Sequence, residues 1–325
     1  MIKELRMAKT PAKIRAEKYI ELVNQGMTYA QVADFCNSTR NAVRESIRRY
    51  KANQRYSGDD VAPTSEAESE LVQSGVEIWN VDIERVPRIE YSWSARKRDS
   101  YTPESFMIQD SRMVSFAAKA LGKSPIFSSE YHHGSENMLN TLWHVMDRAD
   151  VIVSWNGRRF DIPHINGAFR DAGMRPPKPF KQIDMMQQVR RQFNYDYNTL
   201  KSVVKRWGLD EEKMETEGFE LWKKIMANDP EAWDTMRKYN MQDVRTCEAA
   251  FLSNLAWMTS SIPNLAIWVD SDEPMCPVCT STDVVEDGVA ATNTTLYKGY
   301  LCNKCGFRSR SNDKVGTSKL RTVTL

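Results

Sequence analysis

The sequence predicts an α/β domain, a mixed sheet flanked by helices, with a small all-α domain before it and a cysteine-bound ribbon after it. Three observations predict this. Short runs rich in Val, Ile and Trp interleave with helix-patterned segments between residues 72 and 270. Residues 11–54 carry helical patterning alone. Two Cys-x-x-Cys pairs stand near the end, at 276/279 and 302/305. The boundaries read as 1–56, an acidic flexible linker over 57–71, the α/β domain over 72–270 and the ribbon over 271–325. The linker is placed by "RYSGDDVAPTSEAESE", Arg55 to Glu70, which mixes Ser, Gly, Pro and acid with little apolar content.

In the first segment, "AKIRAEKYIELVNQG" ends at Gly26, a helix C-cap residue by type. "TYAQVADFCN" starts on Thr28 as N-cap, with Ala30, Ala33 and Phe35 expected to face inward. After a short turn, "NAVRESIRRYKANQ" places Val43 and Ile47 inward and Arg44, Arg48, Arg49 and Lys51 outward. Two short helices joined by a tight turn, the second one basic, resemble a helix-turn-helix, whose second helix enters a major groove. Arg44 and Arg48 would then contact nucleic acid. A plain three-helix bundle with a charged face fits the same pattern.

In the α/β domain, "SGVEIWNVDIE", "RMVSFAAKAL" and "PIFSS" read as strands. "SENMLNTLWHVMDRA" is a helix by the spacing of Met138, Leu139, Leu142, Val145 and Met146. "DVIVSWNGRRFDIPHINGAFRDAG" begins as a buried strand, turns at Asn156-Gly157 and enters a helix after Asp161. "NTLKSVVKRWG" and "AWDTMRKYNMQDVRTCEAAFLSNLAWM" are helical by pattern. Asp184 reads as a helix cap or a strand end, and Cys36 and Cys247 as small core residues.

This frame gathers acids. Asp82 and Glu84 stand two apart on one strand and so share a face. Asp161 sits at a strand-to-helix junction, and Asp243 lies inside the long helix with Tyr239 one turn before it. Carboxylates collected on one face repel one another unless a cation lies between them. Hard divalent ions such as Mg²⁺ and Mn²⁺ prefer oxygen ligands, and two of them can drive phosphodiester hydrolysis.

The motifs "DIE" (Asp82–Glu84), "NGRRFD" (Asn156–Asp161) and "YNMQD" (Tyr239–Asp243) resemble the three exonuclease motifs of the DEDD, or DnaQ-like, superfamily. Tyr four residues before the last Asp resembles its DEDDy branch. "ADVIVSWNGRRFDIPHI" and "YNTLKSVVKRWGL" are similar to the exonuclease domain of family-B DNA polymerases. The resemblance covers roughly residues 72–260. It implies a ribonuclease-H-like fold and 3′–5′ exonuclease cleavage with two Mg²⁺ or Mn²⁺ ions. It implies Asp82, Glu84, Asp161 and Asp243 as metal ligands and Tyr239 as the group that orients the attacking water. Asn156 and Phe160 would shape the nucleotide site, while Trp155 and Arg158 either steer a strand or serve packing and surface.

The cysteine pairs, "CPVC" and "CNKC", supply Cys276, Cys279, Cys302 and Cys305, a set that suits one structural Zn²⁺. The alternating stretch between them reads as a hairpin, and Gly306 follows the second knuckle. So short a tail cannot bury a sufficient core, and metal would supply its folding energy. Lys298, Tyr300, Lys304, Phe307, Arg308 and Arg310 suit nucleic-acid contact or protein docking alike.

Charge is uneven along the chain. Residues 1–56 hold twelve bases and five acids, whereas from Lys298 to the end there are seven bases and one acid. Two basic ends suggest a polyanion partner, though solvated charge alone would look the same. No run of eighteen apolar residues occurs and the start lacks a secretory pattern, so no membrane partner and a cytoplasmic location are expected. The expected partner is nucleic acid, with single-stranded DNA or 3′ ends favoured and RNA as the alternative. A non-catalytic DNA-binding regulator and a structure-selective endonuclease on the same fold are the competing functions.

Overall fold

The computed structural model describes residues 12–44, 46–47, 65–92, 102–209 and 216–320. In chain order its elements are α1 (Ala12–Asn24), α2 (Tyr29–Phe35), α3 (Glu66–Ser74), β1 (Ile78–Val86), β2 (Ile89–Glu90), β3 (Met107–Gln109), β4 (Arg112–Ala120), β5 (Ile126–Ser129), α4 (Glu130–His133) and α5 (Ser135–Arg148). There follow β6 (Val151–Ser154), α6 (Asp161–Asp171), β7 (Lys181–Asp184), α7 (Met185–Gln192), α8 (Leu200–Trp207), α9 (Phe219–Met226), α10 (Pro230–Ser253), β8 (Val284–Ala291), β9 (Thr295–Cys302) and β10 (Arg308–Thr317). Two compact units result: one spans 78–120 and 125–250, and the other takes 1–77, 121–124 and 251–325. Among the described residues, no helix is long and apolar enough to cross a membrane.

The first unit is built on a five-stranded sheet in the order β5-β4-β1-β6-β7. β1 is its centre, antiparallel to β4 and parallel to β6. Covered on both faces, β1 is nearly continuous in burial. Its odd positions Trp79, Val81 and Ile83 join a core cluster with Met138, Leu142 and Met146 of α5 and Ile165 and Phe169 of α6. Its even positions Asn80 and Asp82 meet α10, through Glu248 and Asn240. Strand alternation therefore sorts β1 into an apolar side and a polar side. Past Glu84 the register with β4 slips by a bulge, and Val86 joins Leu221, Ile225, Trp233 and Met236 in a second cluster. Several elements lie outside the sequence-based expectation, among them β2, β3, α4, β7 and α9. β7 is four residues long and begins Lys-Gln, and α9 follows a positive-φ Gly218.

In the second unit, Thr28 caps α2, as the sequence predicts, and the structure adds a full capping box with Gln31. The inward face of α2 is shifted, however. Val32, Ala33 and Cys36 are buried with Tyr19, Leu22, Val43 and Ile47, whereas Ala30 is exposed. The run of apolar positions 32, 33 and 36 follows the helical period better than 30, 33 and 35 does. Cys36 is a core thiol, its pKa raised by burial. Arg44 is exposed on the helical residues 40–44, and Arg48 lies outside the described residues.

The linker expected over 57–71 is corrected at its end. Ser65 accepts a hydrogen bond from the Glu68 amide and starts α3, Glu66 and Glu68 occupy its first turn, and Gly75 closes it in the left-handed region. Acid that reads as linker composition is here the favourable charge at a helix start. Residues 57–64 lie outside the described residues. The C-terminal sheet is antiparallel in the order β10-β9-β8, so the expected hairpin gains a third strand.

Candidate functional site

The polar side of β1 and the facing side of α10 build the site. Asp82, Glu84 and Asp243 each bring a carboxylate oxygen to within 4.8 Å of the others. Asp82 and Glu84 are half-buried and Asp243 is buried. Asp161, the first residue of α6, accepts a hydrogen bond from the Ile83 amide, the residue between the two strand acids, at 3.1 Å. Three of the four expected carboxylates thus form one set, and Asp161 lies outside it, tied to the strand between Asp82 and Glu84 by the Ile83 amide. Burial pushes the Asp161 pKa up to about 7; the Ile83 amide and its own amide pull it down, and the Asp184 charge pushes it further up. Cys247, one helical turn after Asp243 on α10, is buried. Its thiol is raised well above its ordinary value by burial and by Asp82, Asp161, Asp243 and Asp184.

The turn between β6 and α6 is held by an acid the sequence reading had left as cap or strand end. Asp184 is both: it closes β7 opposite Ser154 and caps α7 through the Gln187 amide. It also accepts from the amides of Asn156, at 3.1 Å, and Arg158, at 3.3 Å. Asn156 adopts φ 67°, a left-handed conformation that asparagine tolerates. At Gly157 a Cβ would stand 2.2 Å from Ser154 Oγ and 3.2 Å from Asp161 Oδ2, so the turn closes over the site only with glycine there.

The other expected residues fall as follows. Phe160 is exposed, with its ring edge-on to His164 at 4.8 Å. Arg85, next to Glu84, reaches His164 Nε2 at 2.9 Å and the Ser111 carbonyl at 2.9 Å. That contact makes Nε2 an acceptor, and burial and Arg85 both lower the His164 pKa, so the ring is neutral. Arg158 is exposed. Trp155 is half-buried, and its indole donates to the Asn198 carbonyl at 3.2 Å, a packing contact. Tyr239 is half-buried, edge-on to Trp222 at 6.4 Å.

One residue of the site went unassigned in the sequence: Asn240. It is fully buried between Tyr239 and Asp243 and donates to Asp82 Oδ2 at 2.6 Å. The available signal was a polar residue three before Asp243, at the inward phase of the helix. Further along β1, Asn80 and Lys119 both bond Glu248, the lysine as a buried ion pair that neutralises the next acid of α10.

The second cluster lies in the other unit. Cys276, Cys279, Cys302 and Cys305 bring their sulfurs within 4.8 Å of one another. The nearest pairs are 3.5 and 3.6 Å apart, beyond the roughly 2.05 Å of a disulfide. Both knuckles close alike: the Thr280 amide bonds the Cys276 carbonyl and the Gly306 amide bonds the Cys302 carbonyl. Thr280 and Gly306 both take positive φ, 63° and 74°. Hydrogen bonds from Cys279 and Cys305 hold the Cys276 thiol down at about 3, while bonds to Cys276 push Cys279 and Cys305 up.

The ribbon's cations are largely paired within the chain. Lys298 meets Glu286, Arg308 meets Asp287, and Lys304 meets Glu66 of α3 at 2.7 Å. Arg310 lies over the Tyr297 ring at 3.9 Å. Ser281 and Thr280 bond Glu70 of the same helix. The surface expected to meet nucleic acid or protein is thus engaged in good part with α3 and with itself.

Residues 113–251 match the model of the RNase_H superfamily, RNase_H_2. The matched span contains Asp161, Asp184 and Asp243 and begins after Asp82 and Glu84. Among curated proteins nothing matches the chain. A solved structure, the family B DNA polymerase from the hyperthermophilic archaeon Pyrobaculum calidifontis, is similar at 16% identity and TM-score 0.38. The likeness covers 61% of this chain and 27% of that one, so this chain spans about a quarter of the polymerase. The mixed five-stranded sheet flanked by helices is ribonuclease-H-like.

Proposed function

We propose that this ribonuclease-H-like chain is a metal-dependent nuclease that releases nucleotides from a 3′ end. One observation carries the reading: Asp82, Glu84 and Asp243 place carboxylate oxygens within 4.8 Å of one another. Such a set is costly without a cation and has the hard oxygen donors that suit Mg²⁺ or Mn²⁺. Asp82, Glu84 and Asp243, with Asp161 beside them, would hold two ions. When bound, such ions would supply an activated water and Lewis acidity for phosphodiester hydrolysis.

The chain's own residues do the rest. Tyr239, on the same side of α10 as Asp243, orients the water. The Asn156–Arg158 turn, fixed by Asp184, and the exposed Phe160 ring shape the slot for the terminal nucleotide. The four cysteines suit one structural Zn²⁺, whose soft tetrahedral preference differs from that of the acids. Arg44, and Arg48 of the same N-terminal segment of the sequence, would add charge for a nucleic-acid backbone.

The test is digestion of 3′- or 5′-labelled single strands, DNA and RNA in separate arms, with Mg²⁺ or Mn²⁺. Stepwise release of mononucleotides from the 3′ end is expected, and Asp82→Ala should abolish it. Internal cuts would make the enzyme an endonuclease. Equal digestion by Asp82→Ala would remove the acids from the chemistry.

A further inference from the structure

We infer that Asn240 is a positioning residue for the acidic cluster and sets its affinity for divalent cations. The inference rests on the metal-dependent reading above. Asn240 Nδ2 donates to Asp82 Oδ2 at 2.6 Å and to the Asp82 carbonyl at 3.3 Å. Both partners only accept, so the amide nitrogen must face β1 and the amide oxygen must face away. That oxygen receives the Ser115 hydroxyl of β4 at 3.3 Å. Ser115 in turn is the register partner of Glu84. One buried side chain thus links the strand that bears Asp82 and Glu84, the neighbouring strand and the helix that bears Asp243.

The chemistry of the link is specific. An amide is a neutral donor, so it holds a carboxylate without competing with a cation for charge, as lysine or arginine would. Two bonds to one aspartate, at backbone and side chain, fix the rotation of its carboxylate. Asp82 then meets a cation with no rotamer left to select, and partners behind metal ligands commonly govern affinity in this way. Ser115 fixes the amide's own plane from behind. A residue that merely glued helix to sheet would need no polar atoms at a fully buried position.

The experiment titrates Mn²⁺ by calorimetry into the full chain, its ribbon loaded with zinc and its acidic cluster cleared of divalent ions, for wild type, Asn240→Ala and Ser115→Ala, and records melting of each before Mn²⁺ is added. Asn240→Ala should bind Mn²⁺ about 10- to 100-fold more weakly. Ser115→Ala, a milder change that keeps the amide, should weaken it in the same direction and by less. Excess Mn²⁺ should restore cleavage by Asn240→Ala but not by Asp243→Ala, which lacks a ligand. Unchanged Mn²⁺ affinity in both folded variants, with only the melting temperature lowered, would overturn the inference. Should Asn240→Ala fail to fold, Ser115→Ala decides alone: wild-type affinity there overturns it. If wild type binds Mn²⁺ and the variants weaken as stated while no chain cuts any strand, the positioning role stands and the nuclease reading falls.

Discussion

The acidic cluster collects three side chains and the cysteine cluster four, each from distant segments, but the chain holds them in opposite ways. The acids sit on finished architecture. β1 is buried between α5 and α6 on one side and α10 on the other, and Lys119, Glu248 and Asn80 brace the same polar side. That scaffold has its own apolar core and can present repelling charges. The cysteines have little behind them. β8 and β10 are half-buried or exposed along their lengths, and the buried residues of the ribbon gather around the knuckles: Cys276, Val278, Cys279 and Cys302, with Thr280 and Ser281. In the first case a cation would act as a reagent on a fold that exists without it. In the second it would be the core.

The largest effect that can break this contrast is removal of zinc. Apparent binding energies at such sites run to about 10–16 kcal/mol. A tight chelator, or Cys302→Ser, should release one zinc per chain and collapse the amide NMR signals of 276–317, while Mn²⁺ still titrates at the acids. A ribbon that keeps its spectrum without zinc would erase the difference.

A smaller effect, of opposite sign on stability, is expected at the acids. Asp243→Asn should slow cleavage by about a thousandfold, on the order of 4 kcal/mol of barrier. Without metal, the same variant should melt no earlier than wild type, because one member of a repelling set has lost its charge. Earlier melting would make Asp243 a structural residue. The smallest expected effect concerns the ribbon's paired cations. Lys304→Ala should leave the salt dependence of oligonucleotide binding unchanged, since Lys304 is engaged by Glu66. A fall in slope of about one would put that lysine on a phosphate.

Local periodicity made much of this legible. Alternation on β1 gave the shared face of Asp82 and Glu84, and helical spacing gave Tyr239 with Asp243. The knuckles announced themselves by spacing, and Gly306 by type. What stayed hidden depended on partners far away in sequence. β7 has only Ile183 as an apolar β-former among Lys181, Gln182 and Asp184, so its strand character comes from pairing with β6. Asp184 reads as a cap because its other bonds, to the Asn156 and Arg158 amides, cross 28 and 26 residues. The pairing of ribbon cations with α3 is invisible where Glu66 and Lys304 stand 238 positions apart. Composition read the acid of 57–71 as linker because a cap at Ser65 and a stop at Gly75 are single-residue signals.

The bond from Asn240 to Asp82 spans 158 residues. A nascent chain leaving the ribosome therefore carries its strand acids long before the helix that completes the cluster. Distant pairings of this kind close late in folding. An incomplete product that ends before α10 holds Asp82 and Glu84 without Asp243 and without the Asn240 bond, so the acidic set is complete only once the last helix of its unit has been made.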